Sequence, residues 1–194
     1  MPSARSSCVG LLALTALLFG CPPPSAEASI DAKLTADAVV IEGTADEDLG
    51  WYASFIIDAA PPGEYAVFTS PERPTSLDGL ADLDLAKCTR SSCSAPGLGT
   101  FEERVKLDAA GRLKLGGGAG QSTSHHVFVI VRRGAPLDAP LTVKSIVTVE
   151  GNGGCGNPAS PALAASSLGG APPLEESKPD SDDAGAAEDA SDHE

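Results

Sequence analysis

The sequence predicts an all-β domain over residues 30–150, an antiparallel β-sandwich that is immunoglobulin-like in outline. Three observations predict it. Short runs rich in Val, Ile, Phe and Thr alternate apolar with polar residues, the period-2 signature of strands with one buried face. Gly, Pro and Asp punctuate these runs at regular spacing, as turns require. Nothing in the domain sustains a helical period beyond one short segment. Seven to nine such strands make two packed layers, with a small barrel as the alternative closure.

Ahead of the domain the chain carries an address. Arg5 is the lone positive charge of a short leader, and Val9 to Phe19 form an apolar run of eleven residues interrupted by Gly10 and Thr15. A bilayer-spanning helix needs about 20 apolar residues, so this run is a signal rather than a span. Pro22, Pro23 and Pro24 end any helix, because proline lacks the N–H and clashes with the preceding turn. Leu18-Phe19-Gly20-Cys21 resembles the lipobox of bacterial lipoproteins, which sets Leu three before the cysteine and a small residue directly before it. The resemblance covers residues 1–21. It implies a signal peptide of residues 1–20, lipid on the Cys21 thiol, cleavage before Cys21 and acylation of the new amino terminus. Phe19 departs from the pattern, where the family carries a smaller residue. Two or more acyl chains give lasting membrane attachment where one does not. The implied location is the cell envelope, and Pro22 in place of Asp after the cysteine favours the outer membrane.

Residues 22–29, "PPPSAEAS", read as a short extended tether. The strands follow. "DAVVIEG" at 37–43 is bounded by Asp37 and Gly43. "GWYASFIID" at 50–58 puts Trp51, Ala53, Phe55 and Ile57 on one face. "PPG" at 61–63 suits a turn into "EYAVFTS" at 64–70, which predicts a hairpin over residues 50–70. Residues 75–87 fit either a short helix through Leu77, Leu80 and Leu83 or a strand through Leu83 and Leu85. "TFEERVKL" at 100–107 and "RLKL" after "DAAG" predict a second hairpin. "HHVFVIVRR" at 125–133 is apolar on both faces, as a central strand covered from both sides would be. "LTVKSIVTV" at 141–149 puts Val143, Val147 and Val149 on one face. Residues 151–194 hold no aromatic residue and end in an acidic run, so they predict a disordered low-complexity tail.

The net charge is −14, of which residues 174–194 carry −8. No basic patch is present, which excludes nucleic acid as a partner. It also leaves the lipid on Cys21 as the membrane contact. Of five cysteines, Cys8 leaves with the signal and Cys21 takes the lipid. Cys88 and Cys93 enclose the polar turn Thr89-Arg90-Ser91-Ser92, and a disulfide between them is expected. A longer bridge from either to Cys155 is the alternative. The spacing C-x4-C with no nearby ligand argues against zinc.

No motif specifies an enzyme or a cofactor. "GGGAG" at 116–120 lacks the Lys-Ser/Thr pair and helix start of a phosphate loop and reads as a flexible connection. Asp46, Glu47 and Asp48 read as a solvated hairpin tip, since three adjacent carboxylates do not make a calcium loop. His125 and His126 are strand neighbours that point to opposite faces and cannot share a metal without a bulge. Ser122 and Ser124 have no activating context. Trp51 and Tyr52 likewise face opposite ways, and an outward aromatic could stack on a sugar ring or anchor a protein partner. The ligand-facing candidates are therefore Trp51, Tyr52, His125 and His126. The sequence predicts a lipid-anchored, non-catalytic binding or structural module whose partner is an envelope protein or glycan. The competing expectation is a metal-dependent or hydrolytic enzyme using His125 or His126.

Overall fold

A computed structural model describes residues 24–151 and 157–168, with the side chains of residues 119–122 outside the described set. Cys21, Cys155, Ser122's side chain and the chain beyond Leu168 lie outside it. The described chain is all-β and antiparallel. Its strands are β1 (Ser25–Leu34), β2 (Ala38–Ala60), β3 (Gly63–Ser70), β4 (Ser94–Ala95), β5 (Gly99–Leu107), β6 (Gly111–Arg133), β7 (Leu141–Glu150) and β8 (Ala162–Ser167). One helical turn, α1 (Asp78–Ala81), and a 3-10 turn at Leu85–Lys87 settle the ambiguous segment as helical. No helix among the described residues is long and apolar enough to cross a membrane.

The strands form one hydrogen-bonded path in the order β1-β7-β2-β6-β3-β5-β4, with β8 added beside β2. The path is one open sheet that is irregular within its two longest strands. Strands β2 and β6 are each 23 residues long and pair along their whole length. Their ladder has an upper half, Ala38–Thr44 against His125–Val131, and a lower half, Trp51–Ala60 against Gly111–Ala119. Between them the register slips around Thr44, Leu49 and Trp51, leaving Ala45 to Asp48 unpaired with β6. Such irregularities let a strand bend sharply. The acidic trio Asp46-Glu47-Asp48 thus sits on this bend inside one strand, rather than on the hairpin tip expected for it.

Trp51 closes the bend. Its indole lies against Gly43, where any Cβ would overlap the ring. It stacks on His126 at 6.4 Å, and its Nε1 donates to the Thr123 carbonyl at 2.7 Å. Phe55 from the lower half meets Phe128 from the upper half edge-on at 5.7 Å. One continuous core results, with Val39, Ile41, Phe128 and Ile130 above and Phe55, Ile57, Leu113, Leu115, Val143 and Val147 below.

The upper half has a second dry face. Val40, Ala66, Phe68, Val127, Val129 and Val131 pack under Leu80, Leu85, Leu98 and Phe101. Strand β6 is therefore covered on both sides at residues 127–131, as its doubly apolar run predicts. The Cys88–Cys93 disulfide, with 5.5 Å between Cα atoms, staples the covering segment.

Neither expected hairpin forms a two-stranded ladder. β6 lies between β2 and β3, and β3 lies between β5 and the upper half of β6. Apolar faces decide the pairing here: β3 is buried from Tyr65 to Ser70 and belongs beside the doubly covered half of β6. Both domain boundaries also move outward. Residues Ser25–Ser29, read as tether, pair with β7 as the start of β1. Ala162–Ser167, read as part of the tail, pairs with Val39–Thr44 as β8. Leu163 and Ala165 alternate inward there and cap the core. The run "GGGAG" is likewise strand, inside β6, and not a loop.

Candidate functional site

The outer face of the lower half carries a concave feature. Tyr52, Ala53, Arg90, Glu102, Glu103, Gly116 and Gly117 line a pocket of about 440 Å³. It opens where β5 and the lower half of β6 approach without a shared ladder. β6 is paired there on its β2 side, and the groups on its other edge are met by side chains. Glu103 Oε2 accepts from the Gly116 N–H at 2.5 Å. Arg90 Nη2 donates to the Gly118 carbonyl at 3.2 Å. These two contacts blunt an edge that would otherwise present bare backbone.

Arg90 is held from behind. Its Nε donates to Glu102 Oε2 at 2.9 Å, and the other Glu102 oxygen accepts from Thr69 Oγ1 at 3.1 Å. The Glu102 side chain is 4% exposed, whereas that of Arg90 is 64% exposed. A buried carboxylate thus fixes the inner edge of the guanidinium and leaves its outer edge to solvent. The four-residue loop closed by the disulfide positions Arg90, with Ser91 in a left-handed conformation (φ 59°) that turns the chain over β5. Ser91 N–H and Phe101 N–H bond across this turn, to the Phe101 and Cys93 carbonyls respectively.

Tyr52 forms the adjacent wall. It is the large apolar-bodied side chain that the described residues leave exposed, at 40%. Gly118 stands directly across the ladder, and a Cβ there would come within 2.8 Å of the Tyr52 ring. The phenol is laid against a strip of bare backbone with its other side toward solvent.

The remaining candidates separate. Trp51 is fully buried and belongs to the core, so it faces no ligand. His126 is also buried, flanked by Trp51 and by Phe128 at 5.0 Å. Burial holds its imidazole to a pKa of about 4, with the neighbouring His125 adding to the depression. Its Nε2 has no hydrogen-bond partner among the described residues, and neither has the buried Ser145 Oγ. His125 points to the opposite face and is half-buried. Its Nδ1 lies 3.0 Å from the Pro71 carbonyl oxygen and donates to it. The two histidines are split as the strand geometry requires. Asp46 lines a separate, smaller pocket of about 270 Å³ with Thr44 and Ser160. No trio of His, Cys, Asp or Glu among the described residues is placed to hold a metal ion.

Arg90, Glu102, Glu103, Gly116 and Gly118 were not singled out by the sequence. Arg90 was visible only as a loop residue, and the glycines as a connection. The alternation of "RLKL" running on into "GGG" is the signal that marks a strand with its side chains removed. No family model matches this chain, and no curated protein matches it either.

Proposed function

We propose that this is a lipid-anchored envelope protein whose β-domain is a non-catalytic binding module, with the Tyr52–Arg90–Glu103 pocket as its binding site. The observation that carries the reading is the pocket's construction. An aromatic ring, an exposed guanidinium braced by a buried carboxylate and a second carboxylate converge on a glycine floor. Ligand sites combine an apolar surface with a few fixed polar groups in this way. Glu102 stands on β5 and Arg90 on the loop closed by the Cys88–Cys93 disulfide, which holds the ion pair in place for a ligand and limits the ordering cost of binding.

The lipobox-like residues and the new start of the sheet support the anchoring part. With β1 beginning at Ser25, three residues, Pro22, Pro23 and Pro24, separate it from Cys21, and the four residue steps reach no more than about 14 Å. A lipid on Cys21 would therefore hold the sheet close to the bilayer. Ser25 pairs with Glu150, and Glu150 with Gly50, so the anchored end of β1 lies one strand-repeat from the Tyr52 row.

A hydrolytic role for His126 would need substrate to reach the core beside Trp51 and Phe128, and the packing there leaves no path to it. The test of the proposed reading has two arms. Mass spectrometry of the mature chain should find an acylated Cys21 as its first residue, and Cys21→Ser should release the protein from membranes. An unmodified Cys21 with residues 1–20 still attached would overturn the anchoring. Envelope fractions should yield a ligand whose retention by the wild-type chain is lost in Arg90→Ala and Tyr52→Ala. Retention indifferent to both would overturn the site.

A further inference from the structure

We infer that the pocket's ligand is a neutral saccharide presented near the membrane surface, bound with a pyranose ring stacked on Tyr52. The inference rests on the binding-module reading above and goes beyond it in naming the ligand class.

The first ground is the shape of the platform. The Tyr52 ring lies over Gly118, where a Cβ would come within 2.8 Å of it, so the glycine lets the ring settle against the sheet. An edge-on ring would suit insertion into a cleft of a partner. A flat ring with one free side suits a flat ligand with apolar C–H groups on one side, which describes a pyranose. Across the row Glu27-Thr148-Tyr52-Gly118 the neighbouring positions are short or polar, so nothing rises beside the ring to clasp an apolar side chain.

The second ground is the inventory of free polar groups. Arg90 spends Nε on Glu102 and one Nη2 bond on Gly118. Its Nη1 makes no hydrogen bond among the described residues. Glu103 spends Oε2 on Gly116, and its Oε1 makes no hydrogen bond among the described residues. The pocket therefore offers donors from one side and a carboxylate acceptor from the other. Vicinal hydroxyls, each both donor and acceptor, satisfy such a pair together. With Arg90, Glu102 and Glu103 the lining carries one net negative charge, which disfavours an anionic ligand, while the exposed outer edge of Arg90 stands against a cationic one. A neutral hydroxyl-bearing ring matches both.

The third ground is the backbone. An extended peptide binding by strand addition needs a free edge of N–H and C=O groups. On β6 the Gly116 N–H and Gly118 carbonyl are already taken by Glu103 and Arg90. The groups a peptide would use are thus occupied, while the side-chain atoms a sugar would use are open.

The test is calorimetric titration of the full chain in detergent with a panel of neutral oligosaccharides built on glucose, galactose and N-acetylglucosamine. A matched panel of extended peptides is titrated beside it. At least one oligosaccharide should bind. Tyr52→Ala should weaken it by about tenfold, the worth of one stacked ring, while Tyr52→Phe keeps affinity close to wild type. Glu103→Gln should weaken it as well, and Gly118→Val should weaken it by tilting the ring. Each variant's melting temperature is measured to show that it folds, and Tyr52→Phe serves as the variant least able to disturb folding. Failure of every oligosaccharide to bind, or binding indifferent to Tyr52→Ala, overturns the saccharide assignment. If peptides bind instead and lose affinity in Tyr52→Ala, the pocket stands as a binding site and only the ligand class falls. If no member of either panel responds to substitution at Tyr52, Arg90 or Glu103, both readings fall.

Discussion

The upper and lower halves of the β2–β6 ladder share the same two strands and differ in what covers them. In the upper half both faces are dry: Val127, Phe128, Val129, Ile130 and Val131 are all fully buried. In the lower half only one face is dry. Phe55, Ile57, Leu113 and Leu115 point into the core, while Tyr52, Arg112 and Lys114 face water. Both halves contribute to one core, and the lower half in addition holds, on its other side, a pocket of glycines and charged side chains, residues that would contribute little to folding by themselves. Adjacent residues make the contrast sharpest: Trp51 is a core residue and Tyr52 a surface one, one peptide bond apart.

Breaking the core side of this comparison should produce the largest effect. Trp51→Ala removes the side chain that spans the bend, and losses of a buried Trp run to about 3–5 kcal/mol. Chemical denaturation should show that loss, with the transition midpoint falling accordingly. A variant of near wild-type stability would mean that the two halves do not depend on each other.

Acid should weaken the same contact. Unfolded, the His126 imidazole takes up a proton as pH falls through 6.5; folded, it resists until about 4. The unfolded state then binds more protons across that window, so stability falls with falling pH from 6.5 toward 4 and levels off below. The full effect is on the order of 3 kcal/mol. Denaturation midpoints of wild type and His126→Leu measured from pH 7 to 4 should diverge, the wild type declining through this window and the variant lacking that component. Parallel curves would show that His126 is not held neutral by the core.

Removing the disulfide tests the cover on the upper half. Cys88→Ser with Cys93→Ser should cost about 2 kcal/mol, the entropy of a short closed loop. It should also loosen Arg90, so that oligosaccharide affinity falls with stability. At the small end, Tyr52→Ala should leave the melting temperature nearly unchanged, since exposed substitutions shift stability by about 0.5 kcal/mol or less. A large loss of stability in Tyr52→Ala would place that residue with the core and erase the distinction from Trp51.

What the sequence made legible follows from the same division. Alternation of Trp51, Phe55 and Ile57, and the doubly apolar run at 127–131, reported burial directly and gave the all-β class. The Cys88–Cys93 loop was legible because only local spacing sets it. Pairing partners were not. Among the described residues, only β4 and β5 pair as sequence-adjacent strands; the other ladders join strands that are not neighbours in the chain. Turn chemistry at Pro61-Pro62-Gly63 marks a reversal but does not name the neighbour. Strand β8 was hidden because Ala and Ser carry too little apolar signal to stand out from the segment around them. The pocket was hidden for a related reason. Gly116, Gly117 and Gly118 function through side chains they lack, and Arg90 through a carboxylate brought to it from β5.

The most direct test of the account is an amide chemical-shift map of the full chain during titration with a bound oligosaccharide. Shifts confined to Tyr52, Arg90, Glu103 and Gly116–Gly118, with Val39–Gly43 and Val127–Val131 unmoved, are the predicted result. Shifts centred on His125, on Asp46 or on the upper half, with Tyr52 and Arg90 unmoved, would contradict it.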